Sequence, residues 1–323
     1  MRVVVTGGAG FIGSNLVDRL LQIGHDVTVI DNCSTGRLEF LERALTSRAC
    51  TLLNIDLLHG AAELQTAVAG ADAVVHLAAN ADVRFGWDDP GRDLRQNVIA
   101  THSVLEAMRS GGVDRLVYSS TGSVYGEATV IPTPEDAPFP VQTSLYGASK
   151  VAAEGMIQAY QEGAGLRGTI FRFVSVLGPR YTHGHVIDFV RHLRRDPAVL
   201  TILGDGQQRK SYFDVDDCVE AIVLALTDDT LVGVFNLGAD EACRVVDSAG
   251  WISDRLGLSP RFEFTGGDRG WIGDNPHIHL DTRRIQAVGW EPTYTIQESI
   301  IRTVDWLVSE PWVLDLIDQT VRS

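Results

Sequence analysis

The chain has 323 residues, 45% hydrophobic and 21% charged, which is enough to bury a large core and too apolar for a disordered chain. Its net charge of −15 excludes nucleic acid and an anionic membrane as main partners, so an anionic ligand must be met by local arginines. Cys33, Cys50, Cys218 and Cys243 lie scattered, without zinc or disulfide spacing, and no metal is expected. The chain opens directly on a strand, RVVVTG, with no charged-then-apolar leader. No apolar run approaches the roughly 20 residues that cross a bilayer, and a cytoplasmic protein is expected. HDVTVID, CTLLNID, DAVVHLAA and DRLVYSS then read as further buried strands. Between them, segments such as GSNLVDRLLQIG carry Leu16, Leu20, Leu21 and Ile23 at a helical period. This alternation predicts an α/β fold, with parallel βαβ units in a Rossmann-type doubly wound sheet. LRGTIFRFVSVLG (166–178) supplies one further strand. HGHVIDFVRHLRRDP reads as a helix stopped by Pro197, and a Gly-rich loop, LGDGQQRK, follows. GVFNLG (233–238) returns to the main sheet, FTGGDRGWIGDNP is a loop, and IQESIIRTVDWLV has the spacing of an amphipathic helix.

VVVTGGAGFIGSN sets Gly7, Gly10 and Gly13, with Phe11 and Ile12 in the same turn, between the first strand and the first helix. Small residues there let the backbone approach a pyrophosphate, and the helix N-terminus offers unpaired N–H groups to it. The second strand ends at Asp31, 18 residues after Gly13. A carboxylate at this point accepts hydrogen bonds from ribose hydroxyls and repels a 2′-phosphate, so NAD is expected over NADP despite Arg37 nearby. Asn32, Ser34, Thr35 and Gly36 extend the same loop. Asp56 and Leu57 close the third strand, where the carboxylate would meet the adenine amine. Leu77, Ala78 and Ala79 of HLAA would let the cofactor lie across a strand end. No repeat or linker separates the halves. The expected division is an NAD-binding domain over 1–178 with a return at 211–240, and a smaller interleaved α+β substrate lobe from 179–210 and 241–323.

TSLYGASK (143–150) holds one of only two lysines in the chain, Lys150; the other is Lys210. On a helix, Tyr146 and Lys150 share a face and meet one ligand. TGGAGFIG (6–13), HLAA (76–79), Asn97 in RQNVIAT, YSSTGSVYG (118–126) and YGASK (146–150) together resemble the extended short-chain dehydrogenase/reductase superfamily. Their order and spacing are most similar to its nucleotide-sugar branch, the UDP-galactose 4-epimerases in particular. The resemblance extends to LGDGQQRKSYFDVDDCVEAI (203–222) and RGWIGD (269–274). It implies that Tyr146 is the acid/base, Lys150 its activator and Thr121 the hydroxyl partner on the same sugar oxygen. Asn97, Ser119 and Phe173 would join the NAD contacts, and a homodimer through a helix bundle is typical. A phenol of pKa near 10 is a poor base at neutral pH. A cation about 4 Å away, at an effective dielectric of about 20, is worth roughly 4 kcal/mol and would bring it to about 7.

The resemblance also bears on the chemistry after oxidation. The branch's 4,6-dehydratases place an Asp-Glu pair after the threonine, and its UDP-glucuronate decarboxylases a glutamate two positions on. Gly122 and Ser123 stand there instead. Nor does the segment carry the cysteine typical of GDP-fucose synthases. The reading that remains is NAD-dependent inversion at C4 of a nucleotide-activated hexose, UDP-glucose/UDP-galactose, through a 4-keto sugar. The alternatives are a UDP-glucuronate or other NDP-sugar 4-epimerase, then a dehydratase or decarboxylase, then a dinucleotide-binding regulator without chemistry. In the substrate lobe Arg209 and Arg269 are expected to clamp the pyrophosphate. Ser123, Ser175, His185 and Val186 would line the sugar and diphosphate site. His185 and Ser175 both stand where the epimerases usually have asparagine.

Overall fold

Apolar β-branched runs alternating with amphipathic segments fold as that alternation dictates. The computed structural model describes residues 1–81, 87–138, 141–270, 275 and 277–320. Its first half runs β1 (Arg2–Thr6), α1 (Phe11–Gln22), β2 (Asp26–Ile30), β3 (Cys50–Leu53), α2 (Ala61–Val68), β4 (Ala73–His76) and α3 (Gly91–Asp93). Then come α4 (Ala100–Gly111), β5 (Arg115–Thr121), α5 (Leu145–Ala164), β6 (Arg167–Phe173), β7 (Ser175–Leu177), α6 (His185–Arg195) and β8 (Val199–Ile202). The remainder is β9 (Arg209–Lys210), β10 (Tyr212–Asp214), α7 (Val215–Thr227), β11 (Gly233–Leu237), β12 (Cys243–Arg244) and α8 (Val245–Arg255). The chain closes with β13 (Arg261–Phe264), β14 (His277–Ile278), α9 (Arg283–Gln286), α10 (Ile296–Ser309) and α11 (Pro311–Thr320).

Seven parallel strands form one sheet in the order β3-β2-β1-β4-β5-β6-β11. The order reverses between β1 and β4, so the carboxyl ends of these strands, at Thr6 and His76, open the crevice where such sheets bind ligands. Side chains alternate across the sheet. Val3 and Val5 pack with Leu16, Val17 and Leu20 of α1, while Val4 joins Val104, Leu105 and Met108 of α4 on the other face. The first of these cores continues without a break into α6, α8 and α10, which joins those helices to the sheet in one core. Among the described residues no helix is long and apolar enough to cross a membrane.

Two features depart from the sequence expectation. Residues 166–178 are not one strand: β6 pairs with β5 and β11 in the large sheet, whereas β7 pairs with β10 in a separate one. The chain changes sheets at Val174, whose N–H donates to the Leu237 carbonyl (3.1 Å) while its side chain turns into the core. A π-helical segment, Leu94–Ile99, also joins α3 to α4 and carries Asn97. Such wide turns recur at functional sites.

One buried ion pair ties the layers together. Arg172 of β6 is 3% exposed and Glu154 of α5 is 1% exposed, with Nη2 and Oε2 2.7 Å apart. Ser120 Oγ donates to the same carboxylate. Arg172 Nη1 donates to Tyr125 (2.7 Å) and to the Glu135 carbonyl (3.0 Å), and Tyr125 donates to Asn236 Oδ1 (2.8 Å). Removing one partner strands a buried charge. Arg172→Met is therefore expected to cost about 3–5 kcal/mol in denaturant unfolding, and adding Glu154→Leu to recover much of it. Near-native stability of the single variant would refute that dependence.

Candidate active site

The glycine loop is pressed against HLAA. Gly7 has φ +71°, and a Cβ there would lie 2.6 Å from the Ala78 nitrogen; a Cβ at Gly13 would lie 2.2 Å from the Gly7 oxygen. α1 begins at Gly10 with no side-chain cap and no acidic residue in its first turn, which leaves its N–H groups facing the crevice. Asp31 is built into the loop: Oδ2 accepts from Ala9 N (2.9 Å) and Oδ1 from Cys33 N (2.8 Å). Gly36 is buried against this carboxylate, while Ser34 and Thr35 are exposed beside it. Asn32 Nδ2 donates to Asp56 Oδ2 (3.2 Å), and Asp56 Oδ1 accepts from Leu58 N (2.8 Å), so Asp56 braces the neighbouring turn. Phe11 and Leu57 give their side chains to the core, and Ile12, Leu77, Ala78 and Ala79 are half-buried along the crevice. A flat, Cβ-free loop, an uncapped helix start and a fixed carboxylate fit a dinucleotide. The α1 N-terminus would hold its pyrophosphate and Asp31 its ribose.

Thr121 ends β5 beside this crevice. Its Oγ1 accepts from Ser123 N (3.1 Å) and donates to Ser123 Oγ (3.2 Å), and the hydroxyl lies beside the Tyr146 phenol, whose ionised form it favours. Ser144 caps α5 by accepting from Gly147 N (3.0 Å), and a Cβ at Gly147 would lie 2.9 Å from the Ser123 oxygen. That close approach brings Tyr146 to Thr121. Lys150 is 2% exposed; its Nζ donates to the Ser119 carbonyl (2.8 Å) and lies 4.8 Å from the Tyr118 ring centre. The helix period thus delivers both residues, but the phenol is not brought near 7. Burial pushes Tyr146 up to about 12, against the Thr121 hydrogen bond, with Asp93 adding to the rise. Burial also lowers Lys150 to about 7, opposed by the charges of Glu154 and Asp93. Desolvation outweighs the ammonium, whose hydrogen bond goes to Ser119 rather than to the phenol.

The other expected residues divide in two. Asn97 is buried and clips the segment after HLAA to α5: Oδ1 accepts from Asn80 N (2.8 Å) and Nδ2 donates to Ser149 Oγ (2.9 Å). Ser119 Oγ donates to the His76 carbonyl (3.3 Å), and Phe173 stacks within the core. Ser123 adjoins Thr121, and Ser175 is exposed at the start of β7. His185 is half-buried, Val186 buried, and Arg209 and Arg269 exposed. His185 shares a hydrogen bond with Ser248 (2.7 Å) and packs 4.8 Å from the Tyr212 ring; burial and Lys210 lower it to about 3, so it is a neutral packing residue. Val186 is fully buried. Arg209 is exposed and reaches the Ala242 carbonyl (3.4 Å), and Arg269 pairs with Glu127 (2.6 Å). Trp271–Asp274 of the RGWIGD motif lie outside the described residues.

Lys210 occupies the inward position expected of Arg209. It is half-buried, donates to the Asn275 carbonyl, and its charge reaches His185 and His277. Asn275 in turn donates to the Gly126 carbonyl. The signal was available: neighbouring residues of a strand point to opposite faces, so only one of Arg209 and Lys210 faces inward. Asp93, Asn80 and Ser149 were also missed, although Asp93 sits four residues before Asn97. Among the described residues no three His, Cys, Asp or Glu side chains gather as metal ligands.

Residues 3–238 match the model of the NAD dependent epimerase/dehydratase family. The UDP-glucose 4-epimerase of Mycolicibacterium smegmatis is 35% identical over 313 residues, 95% of this chain and 98% of that protein. A crystal structure of a UDP-galactose 4-epimerase is 40% identical, covers 97% of this chain and 100% of its own, and superposes with a TM-score of 0.84. The Thermus thermophilus UDP-glucose 4-epimerase in complex with NAD is 33% identical, with coverage of 95% and 99% and a TM-score of 0.85.

The closeness of Gly13 to Gly7 can be tested. Gly13→Ala must push the loop apart, and NAD affinity, measured by calorimetry on stripped protein, is expected to fall at least about tenfold. An unchanged affinity would place the dinucleotide elsewhere.

Proposed function

The chain belongs to the NAD dependent epimerase/dehydratase family, and on that premise we propose that it inverts C4 of a UDP-hexose, interconverting UDP-glucose and UDP-galactose. With NAD held at the glycine loop, C4 can be oxidised to a ketone and reduced again from the other face by hydride transfer, which is the chemistry the cofactor supplies. The chain's own task is to move one proton at the sugar O4. Tyr146 takes that proton and gives it back, and Thr121, beside the phenol, holds the same oxygen. A phenol pushed up to about 12 rests protonated, so its work as a base depends on positive charge beside it. Lys150, anchored on the Ser119 carbonyl, supplies that charge within the same helix face.

The observation that carries the reading is the hydroxyl–phenol pair at Thr121 and Tyr146 followed by Gly122 and Ser123. The turn offers a proton carrier for O4 and no carboxylate at the two positions where elimination or decarboxylation would call for one. Inversion also requires the sugar to turn while its nucleotide stays fixed. We assign that anchoring to the lobe of residues 179–210 and 241–323, with Lys210 and Arg269 supplying cations for the diphosphate. The enzyme is further proposed to act in the cytoplasm as a homodimer.

Incubation with UDP-, dTDP-, GDP- and CDP-sugars, followed by NMR at C4, is expected to show interconversion of UDP-glucose and UDP-galactose. A 4-keto-6-deoxy product, a pentose, or turnover confined to UDP-glucuronate would refute the assignment. Tyr146→Phe is expected to lower kcat by about 10²–10⁴-fold with little change in KM. Near-normal turnover in that variant would remove Tyr146 from proton transfer.

A further inference from the structure

Two buried carboxylates act on Lys150, and they differ in what else they hold. Glu154, one turn further along α5, is matched by Arg172 at 2.7 Å. Asp93, at the end of α3, is 1% exposed. One of its oxygens accepts from Asn80 Nδ2 (2.8 Å) and Asn97 Nδ2 (3.4 Å). The other is buried with no hydrogen-bond partner among the described residues. The arginines beside it in sequence, Arg92 and Arg95, turn to Asp89 instead (3.9 and 2.6 Å).

A carboxylate removed from water costs several kcal/mol unless a cation or hydrogen bonds compensate it. Asn97 Nδ2 donates both to Asp93 and to Ser149 Oγ (2.9 Å), which sets this carboxylate beside α5 next to Lys150, whose charge is favoured first by Glu154 and then by Asp93. The other titratable groups facing the pair are accounted for. His76 of β4 lies between Thr6 and Thr101 and is held neutral by burial; Tyr118 of β5 lies under the ammonium; Tyr146 precedes Lys150 on α5; Arg172 of β6 is committed to Glu154.

We propose that Asp93 is a positioning residue of the active site. Its carboxylate, not neutralised by an arginine as Glu154 is, adds to Glu154 the charge that favours the Lys150 ammonium, and its bonded oxygen, through Asn97 and Asn80, fixes Ser149 and the segment after HLAA beside it. The inference rests on the reading of Tyr146 and Lys150 as the proton-handling pair. Asp93 itself touches neither sugar nor cofactor in this role; it acts through Lys150.

The chain's two lysines make the test direct. With carbon-13 at lysine Cε, the holoenzyme gives two titrating NMR signals, and Lys210→Arg identifies that of Lys150. Asp93→Asn removes the charge while keeping an acceptor oxygen. The Lys150 midpoint is expected to fall by about one to three pH units, and the pH optimum of turnover to move down with it. An unchanged midpoint overturns the proposal, because a merely structural Asp93 would change stability and leave the titration alone. Asp93→Ser is measured in the same way. Loss of the fold in both variants overturns the proposal too, since a charge serving Lys150 is dispensable for folding. The titration needs no sugar, so a shifted midpoint in a protein inactive on every nucleotide sugar would refute the proposed function alone.

Discussion

The geometry of the site depends on a guanidinium that has been taken out of water. Arg172 carries five N–H donors in a rigid plane, and inside a sheet each must find an acceptor in that plane. Glu154, Tyr125 and the Glu135 carbonyl provide them, and Asn236 completes the set by accepting from Tyr125 and reaching the Thr133 and Asp281 carbonyls. These partners come from β5's following turn, α5, β11 and the second lobe. Satisfying one side chain therefore sets where α5 lies on the sheet. Tyr146, Lys150 and Glu154 succeed one another at intervals of four residues on that helix, so fixing the last fixes the other two.

This stripe runs from half-buried phenol to buried carboxylate, and the electrostatics change along it. Burial works against both functional groups, making the phenol a weaker acid and the ammonium a stronger one. Carboxylates offset this for the ammonium alone: Glu154 and Asp93 favour the charged Lys150, while Asp93 raises the phenol further. Neither Tyr146 nor Lys150 therefore has a protonation behaviour of its own. Both respond to the charge of Asp93, and Lys150 first to that of Glu154.

Legibility in the sequence is a matter of range. Strands buried on both faces read as continuous apolar runs, so β1, β2, β4 and β5 stand out. Gly7 and Gly13 are legible because backbone contact admits no Cβ, and Tyr146 and Lys150 because helical spacing is local. Long-range partners leave no such trace. Residues 166–178 read as a single strand because only Leu237, more than sixty residues on, draws Val174 aside. The hydrogen bond of His185 to Ser248 and the pairing of Arg269 with Glu127 are likewise invisible in the sequence, because each joins residues far apart along the chain. Arg209 and Lys210 are a different case, since strand alternation alone sets these neighbours on opposite faces. The phenol's pKa could not be reached from a pairwise distance, because desolvation is a property of everything around the ring.

The change of sheet at Val174 has an evolutionary consequence. Upstream of it, the chain answers to hydrogen-bond registers shared by seven strands, where a substitution disturbs many neighbours. Downstream, β7 answers only to β10, and Ser175 opens directly onto solvent. A change at exposed Ser175 can therefore alter the surface there without disturbing the strand pairing that carries Thr121.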